Sequence, residues 1–532
     1  MNQLAMTPFI LVTLAAAFIA MLVLVPVVRA FAIRVGLVDN PDAERKLHDR
    51  PIALAGGLAV FIATGIAFLV GIAYESGWAE FGKMTELSSR WFVLLGASSA
   101  ILIVGLIDDK WALRGRQKLL AQCVIAMIVV GSGTVMRSVS LFGFEIPLGI
   151  FAIPVSVLWL LLAINALNLL DGADGMATTV GAFVCGGLAL LSASSGHSAS
   201  TVIAATALCG ALLGFLVFNR PPATIFLGDA GSMMIGLMVG VLAMWCSLKE
   251  SAVVVAAPVA ILVLPLFDST AAIIRRWMTG RSMYATDRGH LHHLLNEKFG
   301  PNGMLLVVAG LCTLSSTIAV LSVRFNQDWL ILLGAVAVLG FLVLTRTFGH
   351  SECRLLLGRL YHFAHSFAVR PKDCETSKHL RSVQIQGDGC WEPVWEPLVE
   401  FAKRHDLAKV QIDANMAWLH EGYHATWQSV RLPEKSVQSV VRIPLFATRP
   451  GEDESVPIGK VEVIANSSHE SLAQLSYFLE HAEELQAQVS YLVDNLGKKN
   501  AASRKKATTV ETAAKSNELV VGSEEVEAVH TS

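Results

Sequence analysis

Eleven apolar runs in the first two thirds of the sequence restrict the fold more than any other feature. A helix needs roughly 20 apolar residues to cross about 30 Å of hydrocarbon. The runs cover residues 8–28, 53–74, 91–107, 118–136, 151–170, 176–194, 198–218, 231–247, 252–274, 303–323 and 329–346. Only 16% of the residues are charged, whereas soluble domains carry about one quarter. The sequence therefore predicts an α-helical polytopic membrane protein with about eleven transmembrane helices.

Lys and Arg residues are distributed unevenly between the loops on the two sides of these spans. One set of loops carries fifteen of them and the other set carries five. Cytoplasmic loops of membrane proteins carry the excess of Lys and Arg, so we expect the richer set to be cytoplasmic. An odd number of spans then places the N-terminus outside and the C-terminus inside. The net charge of −2 gives no indication of nucleic-acid binding.

The composition changes after Arg346. Residues 1–350 are predicted to form the transmembrane core, 351–377 a basic connector along the lipid surface, 378–497 a soluble C-terminal α/β domain and 498–532 a disordered tail. Alternating apolar residues predict strands at 380–386, 408–413, 437–446 and 459–465, and helical periodicity covers 391–405 and 468–495. This domain lacks a Gly-rich phosphate loop or a cluster of acids. We expect a cytoplasmic regulatory or partner-binding role, with the partner unknown.

Polar residues gather at span ends on the predicted cytoplasmic face. Acids beside bilayer spans are costly unless they have a function, and residues that only border the membrane should fall on both faces. Taken singly, these motifs have simpler interpretations: a solvated helix end, a helix N-cap turn, or a solvated or soft-metal histidine loop. Their shared face favours one site, which would contain Asp108, Asp109, Asn168, Asp171, Asp174, Asp229, His290, His292 and His293.

The residue types in this group suit phosphate chemistry. Carboxylate and amide oxygens are ligands for Mg²⁺, with Mn²⁺ as the alternative, and Mg²⁺ commonly takes one or two protein carboxylates and leaves positions for substrate phosphates. The turns at Gly175 and Gly231 open helices, whose N-terminal N–H groups favour anions. Lys118, Arg288 and the three histidines would add positive charge. Together they indicate phosphoryl transfer on a nucleotide-linked substrate.

In this order, the motifs resemble those of the polyprenyl-phosphate N-acetylhexosamine-1-phosphate transferase family, glycosyltransferase family 4. The resemblance covers residues 8–346. Within the family, the eleven-span count and the Asp287–His293 pattern are most similar to the branch that transfers GlcNAc-1-phosphate to undecaprenyl phosphate. The motifs are Ala55-Gly-Gly57 after Arg45-Lys46, Gly105-Leu-Ile-Asp-Asp-Lys110 followed by Lys118 and Gln122, Asn168-Leu-Leu-Asp-Gly-Ala-Asp-Gly175, Phe226-Leu-Gly-Asp-Ala-Gly-Ser232 and the His-x-His-His string at His290–His293.

The resemblance implies a reaction and a set of roles. A UDP-N-acetylhexosamine, UDP-GlcNAc in this branch, would donate sugar-1-phosphate to undecaprenyl phosphate in a bacterial inner membrane and release UMP, the first membrane step of cell-envelope polysaccharide synthesis. Asp229 and Asn168 would hold Mg²⁺, and Asp108 and Asp109 would be catalytic. The substrate-binding residues would be Asp171 and Asp174 at the uridine end or the metal turn, with Lys46, Lys118, Arg288, His290, His292 and His293 at phosphates or sugar.

Several alternatives stay open at this point. A phospho-MurNAc-pentapeptide translocase-type transfer uses the same family motifs. A cation-coupled transporter also carries acids within its spans, but it predicts them at mid-span. A membrane-anchored sensor would leave the polar clusters unexplained. The sequence does not decide between direct attack by the lipid phosphate and a two-step route through a phospho-aspartate.

Overall fold

The computed structural model divides the chain into two compact units, Met1–Arg275 with His290–His350, and Arg276–Gly289 with Ser351–Ser532. Lys46, Arg288, most of the predicted connector and the predicted tail lie outside the residues that the structure describes. Those residues are 3–39, 51–76, 89–141, 144–195, 199–247, 259, 261–279, 290–325, 327–345, 348–350, 353, 357, 360, 379–386, 389–405, 407–416, 419, 421–429, 438–448, 455–466 and 469–498.

Helices dominate the first unit because a chain in hydrocarbon must satisfy its backbone N–H and C=O groups internally. The helix Val263–Thr279 belongs to this unit only as far as Arg275. The helices are α1 (Gln3–Arg34), α2 (Gly56–Ser76), α3 (Ser89–Trp111), α4 (Gly115–Gly131), α5 (Ala152–Leu170), α6 (Met176–Ser194), α7 (Ala199–Asn219), α8 (Gly228–Ser247), α9 (Val263–Thr279), α10 (Leu291–Phe325) and α11 (Trp329–Leu344).

Eight helices among the described residues are long and apolar enough to cross a membrane: α1 from Pro8, α2, α3, α5 with its preceding turn, α6, α7, α8 and α10. The chain is thus a mostly helical, multi-pass membrane protein, as the sequence predicts. Three further predicted spans coincide with α4, α9 and α11, which have 17, 17 and 16 residues. The predicted count of eleven stays a prediction.

Helix α8 lies at the centre of this unit. It packs against α2, α3, α5 and α6, and 94% of its most apolar stretch is buried. Two glycines allow the close approach at its start. A Cβ atom on Gly105 of α3 would lie 2.2 Å from the Ala230 Cα, and one on Gly57 of α2 would lie 2.4 Å from the Gly231 Cα. The two glycines therefore let α2 and α3 press against the first turn of α8.

A small sheet connects the same region. Strand β1 (Val38–Asp39) pairs antiparallel with β2 (Ile52–Leu54), and β2 pairs parallel with β5 (Ile225–Phe226). The Gly57 N–H then donates to the Leu227 carbonyl at 3.0 Å. Because β2 leads into α2 and β5 leads into α8, the sheet fixes the starts of both helices side by side. A separate hairpin, β3 (Ser138–Leu141) with β4 (Phe144–Pro147), joins α4 to α5.

The second unit contains a five-stranded antiparallel sheet of order β6-β8-β7-β10-β9. Val410, Ile412 and Ala414 alternate along β7 and are buried, as expected for the core face of a strand. Strand β8 was missing from the strands predicted from the sequence. The elements are β6 (His379–Gln386), α12 (Glu392–Arg404), β7 (Lys409–Met416), β8 (Glu421–Gln428), β9 (Gln438–Thr448), β10 (Ser455–Asn466), α13 (His469–Glu480) and a last helix over 482–498.

Candidate functional site

One ammonium group lies between two carboxylates where α3, α4 and α8 meet. The Lys118 Nζ is 2.8 Å from Asp108 Oδ2 and 3.0 Å from Asp229 Oδ2. Asp108 is only 8% exposed, and its other oxygen, Oδ1, accepts a hydrogen bond from the Leu113 N–H at 2.7 Å. The last turn of α3, the first turn of α8 and the start of α4 are therefore joined by a network of charges in which Asp108 is buried.

Asp109 contacts the backbone of α8. Its Oδ1 accepts the Asp229 N–H at 2.8 Å, and its Oδ2 accepts the Ala230 N–H at 3.2 Å. A carboxylate at this place satisfies helix N–H groups that have no partner within the helix and favours the positive end of the helix dipole. Gly228 leaves the space for it, since a Cβ there would lie 2.6 Å from Asp109 Oδ2. Asp109 thus fixes the turn that carries Asp229.

Asn168 supports the other side of Asp229. Its Nδ2 donates to Asp229 Oδ1 and, at 2.9 Å, to the Ser232 hydroxyl. One turn earlier on α5, Asn165 donates to the Gln122 side chain of α4 at 2.8 Å. These bonds join α4, α5 and α8, so residues 43 to 64 positions apart in the sequence share one site.

The turn between α5 and α6 carries the remaining predicted acids. Asp174 Oδ2 accepts the Ala223 N–H at 2.8 Å, which fixes the segment that leads to β5 and α8. Burial raises the pKa of the Asp171 carboxyl well above its usual range, and the negative charges of Asp229 and Asp109 raise it further. The carboxyl groups of Asp171, Asp229 and Asp109 are therefore close enough to affect one another's ionisation.

The sequence predicted a loop for the histidines, but they lie at the start of a helix. His290 precedes α10, and His292 and His293 lie in its first turn. The reason is Asp268 of α9, whose Oδ1 accepts the Leu291 N–H at 2.8 Å and so caps the helix. His292 reaches the turn after α5, because a Cβ on Gly172 would lie 2.7 Å from its Nε2. The histidine string and the turn that carries Asp171 are therefore neighbours.

Asp268 is the residue of this region that the sequence analysis missed. It is fully buried, and it lies inside the apolar run read as the ninth span. An acid within such a run is a signal of function by itself, and it was available in the sequence. Of the predicted site residues, Lys46 and Arg288 lie outside the described part of the chain, and the others occupy the positions given above.

The oxygen donors at this site suit a hard cation. Among the described residues, no three His, Cys, Asp or Glu side chains form a metal-binding group. Mg²⁺ does not require one, since it commonly uses one or two carboxylates and takes its other ligands from water and phosphates. Asp108 and Asp229 already share one cationic partner, Lys118, and the carboxyl groups of Asp109 and Asp171 lie near enough to Asp229 to interact with it electrostatically.

Comparison with known proteins places this site within one family. Glycosyl transferase family 4 matches residues 91–247, which include Asp108, Lys118, Asn168, Asp171 and Asp229. The chain is similar to a probable undecaprenyl-phosphate N-acetylglucosaminyl 1-phosphate transferase of Bacillus subtilis, 32% identical over 60% of this chain and 87% of that protein.

Two further relatives come from different branches. An undecaprenyl-phosphate alpha-N-acetylglucosaminyl 1-phosphate transferase of Yersinia pestis is 28% identical over 66% of this chain and 93% of its own length. A phospho-N-acetylmuramoyl-pentapeptide-transferase of Shouchella clausii is 32% identical over 48% of this chain and 78% of its own length. With most of the Bacillus protein covered at this identity and the family motifs assembled in one place, the chain belongs to glycosyl transferase family 4.

Proposed function

We propose that the protein transfers GlcNAc-1-phosphate from UDP-GlcNAc to undecaprenyl phosphate and releases UMP. The observation that carries the proposal is the Lys118 ammonium held between Asp108 and Asp229 at 2.8 and 3.0 Å. An ammonium group in this position can reduce the repulsion between negative groups, and the reaction brings two anions together. The names of the Bacillus and Yersinia relatives, both GlcNAc-1-phosphate transferases, support the choice of sugar and lipid.

In the reaction we propose, an oxygen of the lipid phosphate attacks the β-phosphorus of the UDP-sugar. The new O–P bond forms as the bond between the β-phosphorus and the bridging oxygen breaks, and that oxygen leaves with UMP. A phosphate monoester has a second pKa near 6, so the nucleophile is mostly ionised at pH 7 without a general base. Lys118 reduces the repulsion between the two phosphates.

The bonds of Asp108 and Asp109 support direct attack over a phospho-aspartate route. Both oxygens of Asp109 accept backbone N–H bonds, and Asp108 bonds to the Leu113 N–H and to Lys118. Hydrogen bonds accepted by a carboxylate stabilise its negative charge and make it a weaker nucleophile. We therefore propose that Asp108 orients Lys118 and the lipid phosphate, and that Asp109 positions α8.

Asp229 is the ligand that we propose for Mg²⁺, and Asn168 is the second. Asn168 would have to use its carbonyl oxygen, since its Nδ2 contacts Asp229 and Ser232. When bound, the ion supplies neutralisation of the diphosphate charge. For Asp171, the histidines, Lys46 and Arg288 we propose substrate binding, and Asp174 holds the adjoining Ala223 segment.

Purified protein with Mg²⁺ and undecaprenyl phosphate should release UMP from UDP-GlcNAc. The measurement is the UMP formed from each member of a panel of UDP-sugars that includes UDP-MurNAc-pentapeptide. A reaction without undecaprenyl phosphate is the blank. We expect the pentapeptide nucleotide to be consumed at least about tenfold more slowly, a difference of about 1.4 kcal/mol in barrier. Faster use of the pentapeptide would contradict the branch. No UMP from any sugar would contradict the function.

We propose an inner-membrane location with the site facing the cytoplasm, on the basis of the Lys and Arg asymmetry of the loops. The cation-coupled transporter is the weaker candidate, because Asp108 and Asp229 lie in terminal turns of α3 and α8 and not at mid-helix.

For the C-terminal unit we propose a separately folding regulatory domain, which the buried core of its own sheet supports.

The two ends of α3 test the orientation. Ser89 and Lys110 are both exposed at opposite ends of this helix. In a cysteine-free background, Ser89→Cys should react in whole cells with a thiol reagent that cannot cross membranes. Lys110→Cys should react only after the cells are permeabilised. The opposite labelling pattern would place the site outside the cell and contradict the proposed orientation.

A further inference from the structure

Helix α9 carries a carboxylate that the proposed reaction has not used. The Asp268 side chain is fully buried, and it lies between apolar neighbours such as Leu264 and Ala271, which are also buried. A buried charge is costly unless it is paired and hydrogen-bonded. The contacts of Asp268 therefore have to explain why a carboxylate occupies this position.

Both oxygens of Asp268 contact the start of α10. Oδ1 accepts the Leu291 N–H at 2.8 Å, and Oδ2 lies 3.0 Å from His290 Nδ1. A carboxylate that accepts from Nδ1 fixes the proton on that nitrogen and leaves Nε2 as the atom that faces away. One side chain thus determines both where α10 begins and how the His290 ring is turned.

The orientation of His290 is transmitted to the other histidines. The His290 and His292 rings are parallel within 8°, with centroids 5.9 Å apart, and His292 lies 4.2 Å from the His293 ring. His292 is 4% exposed and presses on Gly172, where a Cβ would lie 2.7 Å from its Nε2. Gly172 directly follows Asp171. The contacts therefore run from α9 to the turn that carries Asp171.

We infer that Asp268 is a positioning residue for the transfer reaction: it fixes the His290 ring and the first turn of α10, and so sets the histidines against the turn at Gly172. This inference rests on the proposed function. The groups that Asp268 orients are imidazoles, which can donate to the phosphate oxygens of a UDP-sugar as charge develops on the departing UMP. Loss of this orientation should therefore lower kcat more than it raises KM.

Asp268→Asn in the full-length protein tests the inference. The variant keeps the shape but loses the charge, and we expect kcat for UMP release to fall about 10- to 100-fold, the effect of losing one hydrogen bond to a charged group. KM for UDP-GlcNAc should change by less than about threefold. Ser269→Ala is the matched control, because Ser269 is the next residue on α9 and is also buried. Its kcat should stay near wild type.

A double-mutant cycle separates positioning from general packing. If Asp268 acts through His290, the effect of Asp268→Asn on kcat should largely disappear in a His290→Ala background, whereas a packing defect would add to it. Rates are normalised to folded protein from size-exclusion chromatography. If Asp268→Asn does not purify as folded protein, Asp268→Glu retains the charge and displaces the carboxylate by one methylene, and it should show the same loss of kcat.

Each outcome decides between the inference and the function on which it rests. Wild-type protein that releases UMP, together with an unaffected Asp268→Asn or Asp268→Glu, would overturn the inference alone. Additive effects of Asp268→Asn and His290→Ala would do the same. Wild-type protein that releases no UMP from any UDP-sugar would overturn the proposed function, and the inference with it.

Discussion

Replacing Asp229 by Asn should reduce UMP release at least about 100-fold, the range found when one group that stabilises transition-state charge is removed. Asp229 lies in the first turn of α8 between Lys118 and Asn168. Asn has nearly the same shape and can keep a bond to Asn168, so the fold should persist. What the variant loses is a negative oxygen ligand at a site where Mg²⁺ has few protein ligands.

Two measurements distinguish this effect from a general loss of charge. Asp328→Asn is the matched control, because Asp328 also lies at a helix start, that of α11, and makes no capping hydrogen bond with its side chain; its rate should equal that of wild type. The Mg²⁺ concentration for half-maximal rate should rise in Asp229→Asn. Unchanged turnover with unchanged Mg²⁺ dependence would remove Asp229 from the metal site.

The sequence was sufficient to group the polar residues because hydropathy and loop charge place span ends on one face or the other. Asp108, Asn168 and Asp229 were assigned to one face on these grounds, and the structure brings all three within hydrogen-bonding networks that share Asp229. The glycines of the motifs also carry information about packing. Gly57 and Gly105 lie where α2 and α3 touch α8, and a larger residue would not fit there.

The direction in which each carboxylate points was not predictable. Asp108 and Asp109 are adjacent in sequence, and both were assigned the same role. Successive residues on a helix point about 100° apart, so Asp108 faces Lys118 while Asp109 faces the backbone of α8. Which of the two meets which neighbour depends on how α3 is rotated against α8, and that rotation is set by tertiary packing.

The histidine segment shows a second limit of sequence reasoning. Its place between two predicted spans, 252–274 and 303–323, predicted a loop. The cap comes instead from Asp268, 23 residues earlier on α9. A cap supplied by another helix leaves no mark in the local sequence. Strand β8 was overlooked although Tyr423, Ala425 and Trp427 alternate with polar residues in its sequence. What the sequence does not indicate is that Glu421 and His424 are buried as well.

Lys118→Ala should lower kcat about 100-fold, because it removes the only positive charge that the described residues place between Asp108 and Asp229. The two carboxylates would then repel each other and the incoming phosphates. Lys110→Ala is the matched control: Lys110 is exposed near the end of α3, with its ammonium over the Trp111 ring, and its loss should change the rate less than threefold.

The melting temperature of Lys118→Ala gives a second readout. Mg²⁺ should raise it more in Lys118→Ala than in wild type, since a cation that binds the folded state stabilises it and the variant has lost the competing ammonium. Equal shifts with Mg²⁺, or near-normal turnover, would mean that Lys118 only packs between the helices.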